Sequence, residues 1–146
     1  MVQRVSSAKV ASEGEWVGEI ATGLLVYLGV AAGDAEPDAD YIARKIAGLR
    51  VFRDAEGKMN LSLAQAAGSV LLVSQFTLLG DVRKGNRPAF DGAAPAELAR
   101  HWYEAVAERL RSLGIRVATG RFQTHMEVSS TNDGPITILL DSRKLF

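Results

Sequence analysis

The chain has no cysteine. That excludes disulfides, thiolate metal ligands and a cysteine nucleophile, and it fits a reducing compartment. Histidine is scarce too: His101 and His125 are the only two. A metal site would therefore need carboxylates, and no Asp/Glu cluster has ligand-like spacing, so neither a metal nor another cofactor is expected. No apolar run approaches the roughly 20 residues of a membrane-spanning helix, and no signal-peptide pattern opens the sequence, so a cytoplasmic location is expected. An excess of one charge is also missing, with 17 basic against 17 acidic residues and a pI near 6.7. A protein that grips nucleic acid by net charge is usually basic, so any RNA contact must use a local patch and be salt-sensitive. The early glycines, Gly14, Gly18, Gly23 and Gly29, form neither a Walker loop nor a Gly-x-Gly-x-x-Gly turn, which leaves nucleoside-triphosphate chemistry without support. No Gly-x-Ser-x-Gly elbow occurs either.

What is present reads as a single domain over residues 1–146, long enough to bury a core. Val2 to Ser12 and Trp16 to Ile20 predict a hairpin around Glu13-Gly14-Glu15. Leu24 to Val30 is almost wholly apolar, as is Ser69 to Ser74, and both predict strands buried on two faces. Ile42, Ile46 and Leu49 make one stripe of a helix opened by Pro37-Asp38. Val51 to Arg53 and Met59 to Leu61 predict a second hairpin. Ala96 to Leu113 is the clearest helix, with Gly114 as its cap. Ile115 to Ala118, Met126 to Ser130 and Ile136 to Asp141 complete the strand candidates. About eight short strands and two main helices, mostly in hairpin order, predict an α+β fold. Its expected core is a mostly antiparallel β-sheet, curled and barrel-like, and not a βαβ series.

Two segments stand out as chemistry. Ser74-Gln75-Phe76-Thr77-Leu78 places polar side chains at the end of an apolar strand, where unpaired burial is costly. Asn132-Asp133-Gly134-Pro135 places a Gly-Pro bond ahead of another apolar run, fixing the backbone and removing a donor. Ser74 and Thr77 are candidate nucleophiles, yet a hydroxyl needs an adjacent base, and neither histidine has a triad context. The plain alternative is that both hydroxyls bond to nearby backbone. Between Gly80 and Ala94 a polar loop carries Arg83, Lys84 and Arg87, with Phe90 close behind. Such a loop can contact phosphates and stack a ring on a base, or simply be solvated.

Taken with Gln3-Arg4-Val5, Gly57-Lys58-Met59-Asn60-Leu61, Arg83-Lys84-Gly85-Asn86-Arg87-Pro88 and Thr119-Gly120-Arg121-Phe122, these two segments resemble the signatures of the bacterial and eukaryotic D-aminoacyl-tRNA deacylase family. The resemblance runs nearly end to end. It implies a deacylase-like fold and an editing hydrolase that cleaves the ester between a D-amino acid, or glycine, and the 3′-terminal adenosine of tRNA. It implies a homodimer as well, with Ser74, Gln75, Phe76 and Thr77 lining one subunit's pocket. A cis Gly134-Pro135 would reach in from the other subunit, its carbonyls filling the space an L side chain needs. Arg4 matches the arginine that holds that motif, and Met126 joins the substrate-binding set. Arg83, Lys84, Arg87 and Phe90 would meet the tRNA acceptor end. One departure is plain: the family's Phe-Gly-Ala-x-Met is Phe122-Gln123-Thr124-His125-Met126 here. It keeps open an editor of another mischarged amino acid. A non-enzymatic dimeric RNA-binding module is the reading from a different class. With few bases near Thr77, the terminal ribose 2′-hydroxyl is expected to assist catalysis, with backbone N–H groups holding the oxyanion.

Overall fold

A computed structural model describes residues 1–145. The chain order is β1 (Val2–Ser12), β2 (Glu15–Ile20), β3 (Gly23–Leu28), α1 (Glu36–Gly48), β4 (Phe52–Arg53), β5 (Met59–Leu61), β6 (Ser69–Ser74), a 3-10 turn (Phe76–Leu79), α2 (Ala96–Ser112), β7 (Val117–Thr119) and β8 (Met126–Ile138). The main sheet follows the path β2-β1-β3-β6-β7, with β8 also paired to β1, and β4 and β5 form a separate small hairpin. Pairings of β1 with β2, β3 and β8 are antiparallel, as the hairpin order predicts. Those of β6 with β3 and β7 are parallel. Helices α1 and α2 lie in the two crossovers that such pairing requires, so the sheet is mixed, with βαβ steps inside an otherwise hairpin-built chain. Its end strands approach each other: a Cβ on Gly18 of β2 would meet the Thr119 carbonyl oxygen of β7 at 2.6 Å. The sheet is thus nearly closed.

The unbroken apolar runs of β3 and β6 follow from this curl. Leu24, Val26, Leu28, Val70 and Leu72 face the helices with Ile46, Val106 and Leu110. Leu25, Leu71 and Val73 face the other way and meet Val5, Val10 and Ile20 inside the curl. Burial on both faces leaves no polar alternation to read, and each fully buried aliphatic side chain contributes about 1.5–3 kcal/mol. Tyr103 fastens α2 to the sheet, its hydroxyl donating to the Leu72 carbonyl at 2.8 Å.

Two predicted strands, Met126 to Ser130 and Ile136 to Asp141, are one. β8 runs through the Gly-Pro bond, and residues 139–141 lie beyond it. Its register against β1 is interrupted there. Gln3 pairs with Thr137 and Val5 with Asn132, so the four residues 133–136 oppose Arg4 alone. The motif is a wide bulge in a continuous strand.

Candidate functional site

β6 delivers the first motif. Ser74 is half-buried where the strand leaves the core, and the Gln75 N–H donates to the Leu28 carbonyl at 2.8 Å, carrying the parallel register one residue further. The chain then tightens into the 3-10 turn, whose first bond runs from the Leu78 N–H to the Gln75 carbonyl at 3.3 Å. The N–H groups of Phe76 and Thr77 precede that bond and are not used by the turn. Phe76 is 55% exposed and meets Phe90 edge-on, with centroids 5.0 Å apart. Thr77 is exposed, and its Oγ1 accepts a hydrogen bond from Gln75 Nε2.

This segment borders a cavity of about 650 Å³. One wall is Ser74, Gln75 and Phe76; the facing wall is Phe122 to Met126, with Leu28, Val30 and the start of α2 between them. Met126 is half-buried with its flexible thioether lying over Gly120, where a Cβ would meet its Sδ at 2.7 Å. Ser12, 1% exposed, donates to Thr124 Oγ1 at 2.7 Å, and Thr124 donates onward to the Arg121 carbonyl at 2.9 Å. Among the described residues, His125 is the only ionisable side chain in the lining. In the sequence no triad context singles it out, and only its place between Gln123-Thr124 and Met126 marks the segment. A second cavity of about 370 Å³, between α1, α2 and the C-terminal residues, contains none of the predicted site residues.

The Gly-Pro motif lies elsewhere. The Gly134-Pro135 peptide is cis, and neither residue lines the 650 Å³ cavity of its own chain. Arg4, 2% exposed, sits beneath the bulge. Its Nε donates to the Asp133 carbonyl at 3.0 Å and a terminal nitrogen donates to the Val51 carbonyl at 2.6 Å. The other terminal nitrogen, Nη2, is buried without a partner. Val51 immediately precedes β4, so one guanidinium joins β1, the small hairpin and the bulge.

The basic loop is more committed than its sequence suggests. Arg83 makes a two-point contact with Asp81, at 2.9 and 2.6 Å, and this guanidinium holds the Asp81 carboxyl down at about 2. Lys84 and Arg87 are exposed. Phe90 is not the free stacking ring expected from sequence. It is half-buried and braces the loop against Phe76. Paired backbone bonds between Asp81 and Ala89, at 2.9 and 2.8 Å, close the loop above it. Ser74, Gln75, Phe76 and Met126 therefore share one cavity. Thr77 adjoins it, Phe90 supports it, and Arg4, Gly134 and Pro135 form a separate unit. Among the described residues no group of three or more His, Cys, Asp or Glu side chains could hold a metal ion. Nor is any helix of those residues long and apolar enough to cross a membrane.

Comparison with known proteins gives the arrangement a context. The sequence pattern of the family described as D-Tyr-tRNA(Tyr) deacylase matches residues 1–141. A D-aminoacyl-tRNA deacylase of Symbiobacterium thermophilum is 61% identical over all of this chain and 97% of its own length. One of Anaeromyxobacter dehalogenans is 58% identical over all of this chain and 98% of its own. Among solved structures, the c-Myc DNA unwinding element binding protein superposes with a TM-score of 0.88 at 40% identity, covering 94% of this chain and 93% of that one. A probable eukaryotic D-amino acid tRNA deacylase shares the fold, with a TM-score of 0.75 at 16% identity over 92% of this chain and 93% of that one.

Proposed function

The chain belongs to the D-Tyr-tRNA(Tyr) deacylase family, and from that membership we propose that it hydrolyses the ester joining a D-amino acid, or glycine, to the 3′-terminal adenosine of tRNA. One observation carries the reading. In a chain that matches the family over residues 1–141, the Ser74–Phe76 segment forms the wall of a 650 Å³ cavity.

The cavity contributes shape and backbone polarity more than side-chain bases. Among the described residues its lining holds no carboxylate, lysine or arginine, and the Thr77 hydroxyl already accepts from Gln75. Water attack is therefore assigned to assistance by the terminal ribose 2′-hydroxyl. The Phe76 and Thr77 N–H groups, not used by the turn, stabilise the oxyanion. Collapse of the tetrahedral intermediate breaks the ester bond, the 3′-oxygen leaves with a proton, and the amino acid departs as its carboxylate. Holding the ester in one orientation supplies much of the acceleration.

The Gly134-Pro135 bulge does not border its own cavity, and among the described strands β8 pairs only with β1, leaving its other edge open. Both features support a homodimer in which each bulge completes the partner's site. There its carbonyls deny room to an L side chain. Lys84 and Arg87, beside the Phe90–Phe76 brace, suit the phosphates of the acceptor end. A cytoplasmic location follows from the same reading, since aminoacyl-tRNA is the substrate.

Purified protein incubated with D-tyrosyl-, L-tyrosyl- and glycyl-tRNA should release D-tyrosine and glycine and spare the L ester. Binding of tRNA with no release above the protein-free control would instead indicate a non-enzymatic RNA-binding module. D-aminoacyl-tRNA ending in 2′-deoxyadenosine should bind but not turn over, and normal turnover would remove the RNA-assisted step.

A further inference from the structure

The Phe122–Met126 wall carries a long side chain where its backbone is least tolerant of one. Gln123 has a φ of +58°, in the left-handed region. Glycine adopts that region freely, whereas a side chain bearing a Cβ is disfavoured there. A non-glycine residue persists in such a conformation only where its surroundings fix it, and such residues cluster at binding and catalytic sites. Here the surroundings are visible. The buried Ser12 hydroxyl, Thr124 Oγ1 and the Arg121 carbonyl form a relay across residues 121–124, with steps of 2.7 and 2.9 Å. The clasp spans the left-handed glutamine, which lies between the Arg121 carbonyl and Thr124.

Two carboxamides line the cavity, those of Gln75 and Gln123. The Gln75 amide nitrogen donates to Thr77 Oγ1. Gln123 is exposed along the lining, on the wall facing Ser74 and Phe76. A carboxamide offers a donor and an acceptor side by side, and its well-matched base is adenine, which presents a 6-amino donor beside a ring-nitrogen acceptor. Adenosine is the nucleoside carrying the ester in the function proposed above. We propose that Gln123 reads the 6-amino edge of the substrate's terminal adenine, and that Ser12 and Thr124 are positioning residues holding it in the left-handed turn. The inference rests on the deacylase reading and adds a base-specific contact supplied by this chain's own side chain.

The test uses the full-length protein and two non-hydrolysable ligands: 3′-(D-tyrosylamino)-3′-deoxyadenosine, and the same compound with purine in place of adenine, which lacks only the 6-amino group. Wild type should bind the purine compound about tenfold more weakly, the scale of one bidentate base contact. Gln123→Gly should bind the adenine compound about tenfold more weakly and no longer distinguish the pair, closing a double-mutant cycle. Its Tm should rise, since glycine relieves the left-handed backbone, and KM for D-tyrosyl-tRNA should rise by a larger factor than kcat falls. Thr124→Val, similar in shape but without the hydroxyl, should lose the same discrimination while keeping the glutamine. Unchanged discrimination in Gln123→Gly overturns the base contact, and unchanged discrimination in Thr124→Val overturns the positioning role. If wild type hydrolyses D-tyrosyl-tRNA but binds the two ligands equally, this inference alone fails. If wild type leaves the D ester intact, the deacylase reading fails first.

Discussion

Replacing Arg4 with methionine keeps the length of the side chain and removes the clasp beneath the Gly-Pro bulge. Two hydrogen bonds from the charged guanidinium are lost, to the Asp133 and Val51 carbonyls. At about 1.5–3 kcal/mol each for bonds from an ionised donor, the gross loss is about 3–6 kcal/mol. Against it stands the buried terminal nitrogen that has no partner, a cost of about 1–3 kcal/mol that methionine abolishes. The Asp133 carboxylate, 3.3 Å from Nε but 57% exposed, adds little because water screens it. With the two ranges taken at matching ends, the net expectation is a destabilisation of about 2–3 kcal/mol, or roughly 5–12 °C in Tm for a domain of this size. Urea unfolding at constant m-value measures it. At a temperature where both proteins are folded, the variant should begin to hydrolyse L esters while its affinity for the adenosine ligand changes little, because Arg4 does not border the cavity. A loss of stability under about 1 kcal/mol, or undiminished hydrolysis with L esters still spared, would refute the view that Arg4 sets the bulge.

Thr77→Ala should retain most of its single-turnover rate on D-tyrosyl-tRNA, because the hydroxyl is exposed and engaged by Gln75; loss of turnover with binding intact would make Thr77 the nucleophile. Lys84→Ala and Arg87→Ala should each weaken tRNA binding and reduce the slope of log K against log salt by about 1. Arg83→Ala should change the slope less, since Asp81 already engages that guanidinium. Burial pushes the Tyr103 hydroxyl up to about 12, so between pH 10 and 12 the unfolded chain releases a proton that the folded one keeps. Stability should therefore fall across that window, by up to about 2 kcal/mol, and Tyr103→Phe should remove this part of the decline in pH-dependent urea titrations.

The buried strands and α2 were legible because their signals are local. β3 and β6 are continuous apolar runs, and the buried positions of α2, Tyr103, Val106, Ala107 and Leu110, recur at helical spacing. The parallel half of the sheet was not legible. Hairpin signals speak only of strands adjacent in sequence, while β3 and β6 meet across α1 and the small hairpin, and the three-residue β7 carries little pattern of its own. β8 read as two strands because Asn132-Asp133-Gly134-Pro135 has turn composition, whereas the structure accommodates it as a bulge facing Arg4. Of the site, the Ser74–Thr77 segment and the Gly-Pro bond announced themselves by polar or backbone-restricting residues beside apolar runs. The Phe90–Phe76 brace and the Ser12–Thr124 bond did not, since each depends on a contact between segments distant in the chain.

The site's geometry therefore depends on backbone more than on side-chain chemistry, and this explains which positions can vary. The segment leading into the Phe122–Met126 wall is held by a close approach that admits no side chain, Gly18 against the Thr119 carbonyl, and Met126 packs over Gly120. Residues placed between such anchors keep their path when their side chains change, provided that a strained φ is held by a new contact. Gln123 with the Ser12–Thr124 bond meets that condition. The bulge on β8 follows the same logic, fixed by a buried arginine that holds a carbonyl rather than by what Gly134 and Pro135 touch themselves. A pocket built this way can alter what it binds at its rim while keeping the N–H groups that act on the ester and the carbonyls that exclude an L side chain. Substrate preference should accordingly map to residues 123–125, reaction type to the backbone of 76–77, and rejection of L esters to the backbone of 134–135.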